Sequence, residues 1–279
     1  MPEIYLLFPE GKCKALTLSY DDGVEQDVRL MQILDQHGLK CTFNINSNLY
    51  APEGTKYPEG QVHRRMTKSQ VMALYPDSGH EIAVHAAQHA DLTAIPSSSV
   101  VWEVIKDKQQ LETQFGRIIR GMAYPFGRFS DDVVSALRSC GIAYARTVHS
   151  TCQFDIPIDW LRLPATCHHN HPQLMDLARR FAEQKPVFQP WLFYLWGHSY
   201  EFEADHNWHV IEEFAEYLGG REDIWYATNI EIYDYVEAWR SLITSADGLR
   251  IYNPTCKKLW IRWHQKVYTI EPGQEIKMQ

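Results

Sequence analysis

The stretch Ala15-Leu16-Thr17-Leu18-Ser19-Tyr20-Asp21-Asp22-Gly23 (ALTLSYDDG, residues 15–23) decides the fold. Ala15 to Tyr20 reads as a buried β-strand, and it ends on two acids and a glycine, a polar turn. The period then changes. Gln26 to His37 carries Val28, Met31, Ile33 and Leu34 at roughly helical spacing, and Gly38 closes the helix. Strand, polar loop, helix is the building unit of a parallel α/β fold.

The same rhythm continues along the chain. Cys41–Ile45 is a second strand, Lys68–Tyr75 a short helix introduced by Thr67, and His80–Val84 a third strand followed by a helix over Ser99–Phe115. Gly121–Tyr124 is a weak fourth strand. Ser130–Cys140 is a helix with Ser130 as N-cap and Gly141 as its stop, and Ile142–Thr147 is a fifth strand. An irregular stretch, Val148–Pro172, follows. Then come a helix over Gln173–Glu183, a sixth strand over Trp191–Trp196, a helix over Trp208–Leu218, a seventh strand over Ile224–Ala227 and a helix over Ile230–Leu242. About seven such units predict a closed or nearly closed barrel of parallel strands, with an open doubly wound sheet as the alternative. From Asp247 the apolar residues alternate (Leu249, Ile251, Leu259, Ile261, Val267, Ile270), which predicts a short antiparallel β tail. The expected division is residues 1–245 for the barrel and 246–279 for the extension.

Composition narrows the function. The 279 residues are 45% hydrophobic and 22% charged, as in an ordinary globular protein. Acids outnumber bases 35 to 27, giving a net charge of -8, and the bases are scattered, so a nucleic-acid partner is excluded. No apolar run reaches the length of about 18 residues that a membrane helix needs. The six cysteines form no Cys-x-x-Cys pair and read as reduced thiols. The first ten residues lack a signal-type pattern, so the expected compartment is the cytoplasm.

In parallel α/β folds chemistry sits at the carboxyl ends of the strands. The first strand ends in Ser19-Tyr20-Asp21-Asp22-Gly23, the third in His85-Ala86-Ala87-Gln88-His89, the fourth in Tyr124-Pro125-Phe126-Gly127 and the sixth in Gly197-His198. Two adjacent buried carboxylates are costly unless positive charge compensates them. One acid can hold a divalent ion while its neighbour acts as base. Two histidines four residues apart supply the remaining ligands of a two-His-one-carboxylate site. His80-Glu81 with His85 has the wrong spacing for a zinc-protease helix, and no nucleophile elbow, phosphate loop or dinucleotide fingerprint occurs.

In their order along residues 14–240, these four motifs resemble those of the polysaccharide deacetylases, carbohydrate esterase family four. The resemblance implies a distorted (β/α) barrel that removes acetyl groups from N-acetylated sugars with one divalent metal ion, zinc first, cobalt or nickel as alternatives. By position it implies Asp21 as catalytic base, Asp22, His85 and His89 as metal ligands, His198 as general acid and the Phe126 backbone N–H as oxyanion donor. Tyr124 and Trp160 are expected to bind substrate.

The sequence departs from the family pattern at three points. Ala123 stands where the family often has an arginine that orients the base. Arg146 or Arg162 is the expected substitute. Ala86 replaces a hydroxyl residue between the histidines. Asp159-Trp160 is the nearest counterpart of the family's Asp-Trp pair, with Asp159 expected to tune His198 and Trp160 to line the groove, alongside Trp196 and Trp208. The Cys167-His168-His169-Asn170-His171 cluster reads as an exposed turn, with binding of substrate or of a second metal as the alternatives. The rival functions are hydrolysis of small cyclic or linear amides of imide or ureide type on the same fold, and non-catalytic carbohydrate binding. A carbohydrate or small amide is the expected partner, with a homo-oligomer open.

Overall fold

A computed structural model describes residues 3–278. Its centre is β2 (Lys14–Asp21), which is buried along its whole length, as the ALTLSY run requires. A strand has two edges, and both edges of β2 are used. β9 (Trp191–Gly197) lies parallel along one. On the other, β3 (Cys41–Ile45) pairs from Leu18 onward and β10 (Ile224–Tyr226) pairs with Lys14 to Leu16. From β3 the sheet runs in parallel through β4 (Glu81–Val84), β5 (Gly121–Ala123) and β6 (Tyr144–Ser150).

The ring closes inside the stretch expected to be irregular. β7 (Leu163–Ala165) pairs with β6, and β8 (Cys167–His168) pairs with β9. Between them the Thr166 N–H donates to Tyr194 O at 2.8 Å. One extended segment therefore touches β6 with its first half and β9 with its second. Its shortness and Pro164 hid it from any periodicity argument. The outcome is the predicted distorted barrel of parallel strands.

Helices cover the ring: α1 (Asp27–Gln36), α2 (Lys68–Leu74), α3 (Ser97–Phe115), α4 (Asp131–Ser139), α5 (Leu174–Glu183), α6 (Ser199–Ala204), α7 (His209–Leu218) and α8 (Asn229–Arg240). Local chemistry starts several of them. Ser130 caps α4, accepting from the Val133 N–H, with Asp131 and Asp132 in its first turn. Thr67 with Gln70 and Thr228 with Glu231 form capping boxes for α2 and α8. On α1 the buried face uses Leu30, Met31, Ile33 and Leu34, whereas Val28, expected inside, is exposed. The six-residue helix α6 is too short to carry a periodic signal.

The remaining strands are antiparallel. β1 (Ile4–Leu7) pairs with β13 (Leu259–Trp263), which pairs with β14 (Lys266–Ile270). β11 (Ile243–Thr244), β12 (Arg250–Tyr252) and β15 (Glu275–Lys277) form another sheet. Ile251, Ile261, Ile270 and Met278 fill the space between them. The β extension thus takes in Ile4–Leu7 and Ile243–Thr244 as well as residues from 246 onward. Among the described residues no helix is long and apolar enough to cross a membrane.

One glycine has a packing reason. A Cβ at Gly121 would lie 2.1 Å from the Tyr144 hydroxyl oxygen. That buried hydroxyl donates to Glu81 Oε1 at 2.7 Å. Gly121→Ala is expected to displace Tyr144 and leave Glu81 Oε1 without its donor, costing about 2–4 kcal/mol in urea-denaturation stability. An unchanged midpoint would refute the tight-approach account.

Candidate active site

The carboxyl ends of β2, β4, β6 and β9 meet on one rim. Asp21, the last residue of β2, is only 2% exposed. Its Oδ1 accepts from Asn44 Nδ2 at 2.8 Å, and its Oδ2 accepts from Arg146 on β6. The Arg146 guanidinium is itself buried and lies 4.3 Å from the centre of the Trp196 ring. Burial pushes the Asp21 pKa up, but Arg146, with His85 and His198, outweighs it, and the net shift is down. The charge missing at Ala123 is therefore delivered from the next strand.

Asp22 turns the chain out of the strand with φ 87, a left-handed value that costs a non-glycine residue energy and recurs at functional sites. Arg65 fixes it, donating to Asp22 Oδ1 at 2.9 Å and to the Asp22 carbonyl at 2.6 Å. His63 Nε2 lies 3.1 Å from Oδ2. Burial opposes ionisation of Asp22, yet His63 and Arg65 hold its pKa far below the carboxylate range.

His85 follows β4 and is 1% exposed. Its Nδ1 is 2.8 Å from the Ala123 carbonyl, so Nδ1 carries the proton and Nε2 keeps a bare lone pair. That buried Nε2 has no hydrogen-bond partner, the condition expected of a nitrogen awaiting a cation. It lies 4.0 Å from Asp22 Oδ1, and His89 Nε2 lies 3.9 Å from the same oxygen. Ligand atoms of Asp22, His85 and His89 all fall within 4.8 Å of one another. Burial lowers both imidazole pKa values, that of His89 to about 4, which keeps the rings neutral as ligands must be. The residues fit a divalent ion.

Ala86 supplies no hydroxyl to steady this loop, and other groups do it. Asp107 accepts the N–H of His85 at 2.9 Å and that of Ser47 at 2.7 Å, and Asn46 donates to the His85 and Ala86 carbonyls. Across the rim, His198 Nε2 lies 3.8 Å from Asp21 Oδ2 and Nδ1 lies 3.3 Å from Glu201 Oε1. Burial pulls the His198 pKa down, but Glu201 and Asp21 carry it above the ordinary histidine value. Phe126, at φ 57 and 60% exposed, sets its ring edge-on to His89 at 4.6 Å. The tight turn around it is closed by the Gly127 and Arg128 N–H groups, which leaves the Phe126 N–H outside those bonds.

Residues 9–145 match the model of the polysaccharide deacetylase family. That stretch is a polysaccharide deacetylase domain. A chitooligosaccharide deacetylase of Sinorhizobium fredii is 26% identical over 162 residues, 58% of this chain and 61% of that one. One from Bradyrhizobium is 26% identical over 152 residues, 53% of this chain and 60% of that one. The chain thus spans about three-fifths of the length of these curated relatives. Among solved structures, a candidate polysaccharide deacetylase from Mycobacterium smegmatis superposes with a TM-score of 0.59 at 16% identity, over 86% of this chain and 96% of that one. A family 4 carbohydrate esterase from Streptomyces lividans, solved with acetate, gives 0.50 at 14% identity over 77% of this chain and 92% of that one. At such identities the shared property is the fold.

Not every expected deacetylase residue stands at the rim. Tyr124 is buried and donates its hydroxyl to the Leu161 carbonyl at 2.7 Å, so its side chain is structural rather than substrate-binding. Trp160 is committed elsewhere as well: its indole N–H donates to Glu237 at 2.8 Å and its ring packs edge-on to Tyr233. Asp159 and Arg162 pair with each other, and Arg162 also reaches Asp131, so neither serves Asp21 or His198. His168 and His169 are no exposed turn; both face Glu201, and His169 is buried. Trp196 lies under Arg146, and Trp208 stacks on Arg29 at 4.4 Å.

Sequence reasoning missed Asn44, Arg65, His63, Asp107 and Glu201. Only Glu201 left a trace, as an acid three residues after His198, where its side chain reaches back to the His198 N–H at 3.2 Å. The contacts of the others are set by tertiary packing.

Proposed function

We propose that this chain hydrolyses the acetamido group of N-acetylated sugars, with O-acetyl esters as a second acceptable substrate. The observation that carries the reading is a buried Asp21 paired to Arg146, beside the Asp22, His85 and His89 set and across from His198. Asp22, His85 and His89 would hold one divalent ion, zinc before cobalt or nickel. When bound, such an ion polarises a carbonyl and acidifies water.

This chain's own groups do the rest. Asp21, kept anionic by Arg146, takes a proton from the attacking water as the carbon–oxygen bond forms. The Phe126 N–H donates to the oxyanion that replaces the acetyl carbonyl. His198, protonated at Nε2, passes that proton to the amine nitrogen as the carbon–nitrogen bond breaks. Acetate and a free amino sugar leave. Arg146 supplies the guanidinium that position 123 lacks, so the base has the partner the sugar reading calls for.

The test is acetate release from N-acetylated chito-oligosaccharides, from an O-acetylated sugar and from a cyclic imide. Protein stripped by chelator and reloaded with zinc, cobalt or nickel is compared with the stripped form. We expect acetate from the sugars only after reloading. Ring opening without acetate, or full activity in the stripped form, would overturn the reading.

A further inference from the structure

Glu201 has no part in the reaction above, yet three imidazoles converge on it. His168 Nε2 lies 3.1 Å and His169 Nε2 3.2 Å from Oε2, and His198 Nδ1 lies 3.3 Å from Oε1. The other nitrogens of the first two rings settle where their protons are. The Asn170 N–H donates to His168 Nδ1 at 3.2 Å, so a neutral His168 carries its proton on Nε2.

His169 is sandwiched between Tyr20 and Phe202, with ring centres 5.7 and 4.1 Å away. Neither ring nitrogen makes a well-aligned hydrogen bond, but the two surroundings differ: Nδ1 lies against Gly197, where a Cβ would come within 2.0 Å of it, whereas Nε2 has the Glu201 carboxylate in reach at 3.2 Å. A proton on Nδ1 would be stranded, so it too belongs on Nε2, facing Glu201. Burial holds the His169 pKa at about 4, and the ring is neutral. Burial also works against a charge on Glu201, but the contacts from His168, His169 and His198 outweigh it and the acid stays ionised.

We propose that His168 and His169 are positioning residues for His198: they clamp the Glu201 carboxylate on His198 Nδ1, which turns Nε2 toward Asp21. The proposal rests on the reading of His198 as the proton donor. The competing assignment is a second cation on His168, His198 and Glu201, whose ligand atoms lie within 4.8 Å of one another. It needs a lone pair at His168 Nε2, where the Asn170 contact puts a proton. The groups facing His198 are Glu201 on its own helix, His168 and His169 from β8 and the residue after it, and Asp21 and Asp22 from the end of β2. Tyr200 completes the set, its ring 5.3 Å away and edge-on to His63.

The test is a nitrogen-15 NMR titration of histidine-labelled protein as isolated, paired with the pH profile of acetate release. In the wild type we expect His198 as the Nδ1–H tautomer with a midpoint above that of an ordinary histidine. Glu201→Gln should lower that midpoint, and the alkaline limb of the profile, by about one pH unit or more. His168→Ala, at a partly exposed ring, should lower both by less, and Glu201→Asp should restore the tautomer. An unchanged midpoint and tautomer in folded Glu201→Gln and His168→Ala would overturn the proposal. So would a second equivalent of zinc that the wild type binds and Glu201→Gln loses. If no acetylated sugar is turned over, the deacetylase reading fails while the NMR shifts still decide this one.

Discussion

Asp21→Asn is expected to lower turnover by about 10²–10⁴-fold while leaving divalent-ion binding in place. The substitution changes almost no volume, and Asn44 can still bond the side-chain oxygen. What it removes is the anion that accepts the water's proton. The candidate ligands are on other side chains: Asp22, with Arg65 and His63 fixing it, and the bare Nε2 of His85. His85→Ala should do the reverse and abolish ion binding, because His85 is fully buried and no neighbouring group replaces its lone pair. Isothermal titration with zinc beside acetate release separates the two. Equal ion loss in both variants would refute the division of roles between the adjacent aspartates.

Arg146→Met is expected to be the most damaging change outside the candidate ligands. Arg146 and Asp21 are both buried, and removing one partner leaves an uncompensated charge, worth about 3–5 kcal/mol of stability. The sign with pH follows from the shift. In the wild type the folded Asp21 pKa lies below its unfolded value, so the pair's contribution is full above the unfolded pKa and fades as pH falls through the folded one. Without Arg146 burial dominates and the folded pKa rises above the unfolded one. The variant's deficit is then largest at neutral pH and shrinks on acidification, and the acid limb of activity moves up. Arg146→Lys should recover part of both, since the charge returns without the planar fork. Identical acid limbs and denaturation midpoints in wild type and Arg146→Met would reject Arg146 as the base's partner.

The barrel was legible because each long element had its own period: β2 and β9 as continuous apolar runs, α1, α4 and α7 as 3.6-residue stripes with caps or stops. β7, β8 and α6 were not, because two or three strand residues or a six-residue helix hold no period. At the site, residues adjacent in sequence to a strand end were legible as neighbours in space: Asp21, Asp22, His85, His89 and His198 converge. Their supports were not legible. Arg65 reaches Asp22 from a loop after β3, and His169 reaches Glu201 only because β8 lies beside β9. Tyr124 and Trp160 misled for the opposite reason: a large aromatic beside a motif is more often packing than platform.

The extended segment 163–168 that closes the ring also ends at His168, directly before His169. The seam of the barrel and the scaffold behind the proton donor are therefore one piece of chain. Any breathing that unzips β8 from β9 also withdraws the rings that steady Glu201, so structural integrity and catalytic readiness at this seam are lost or kept together.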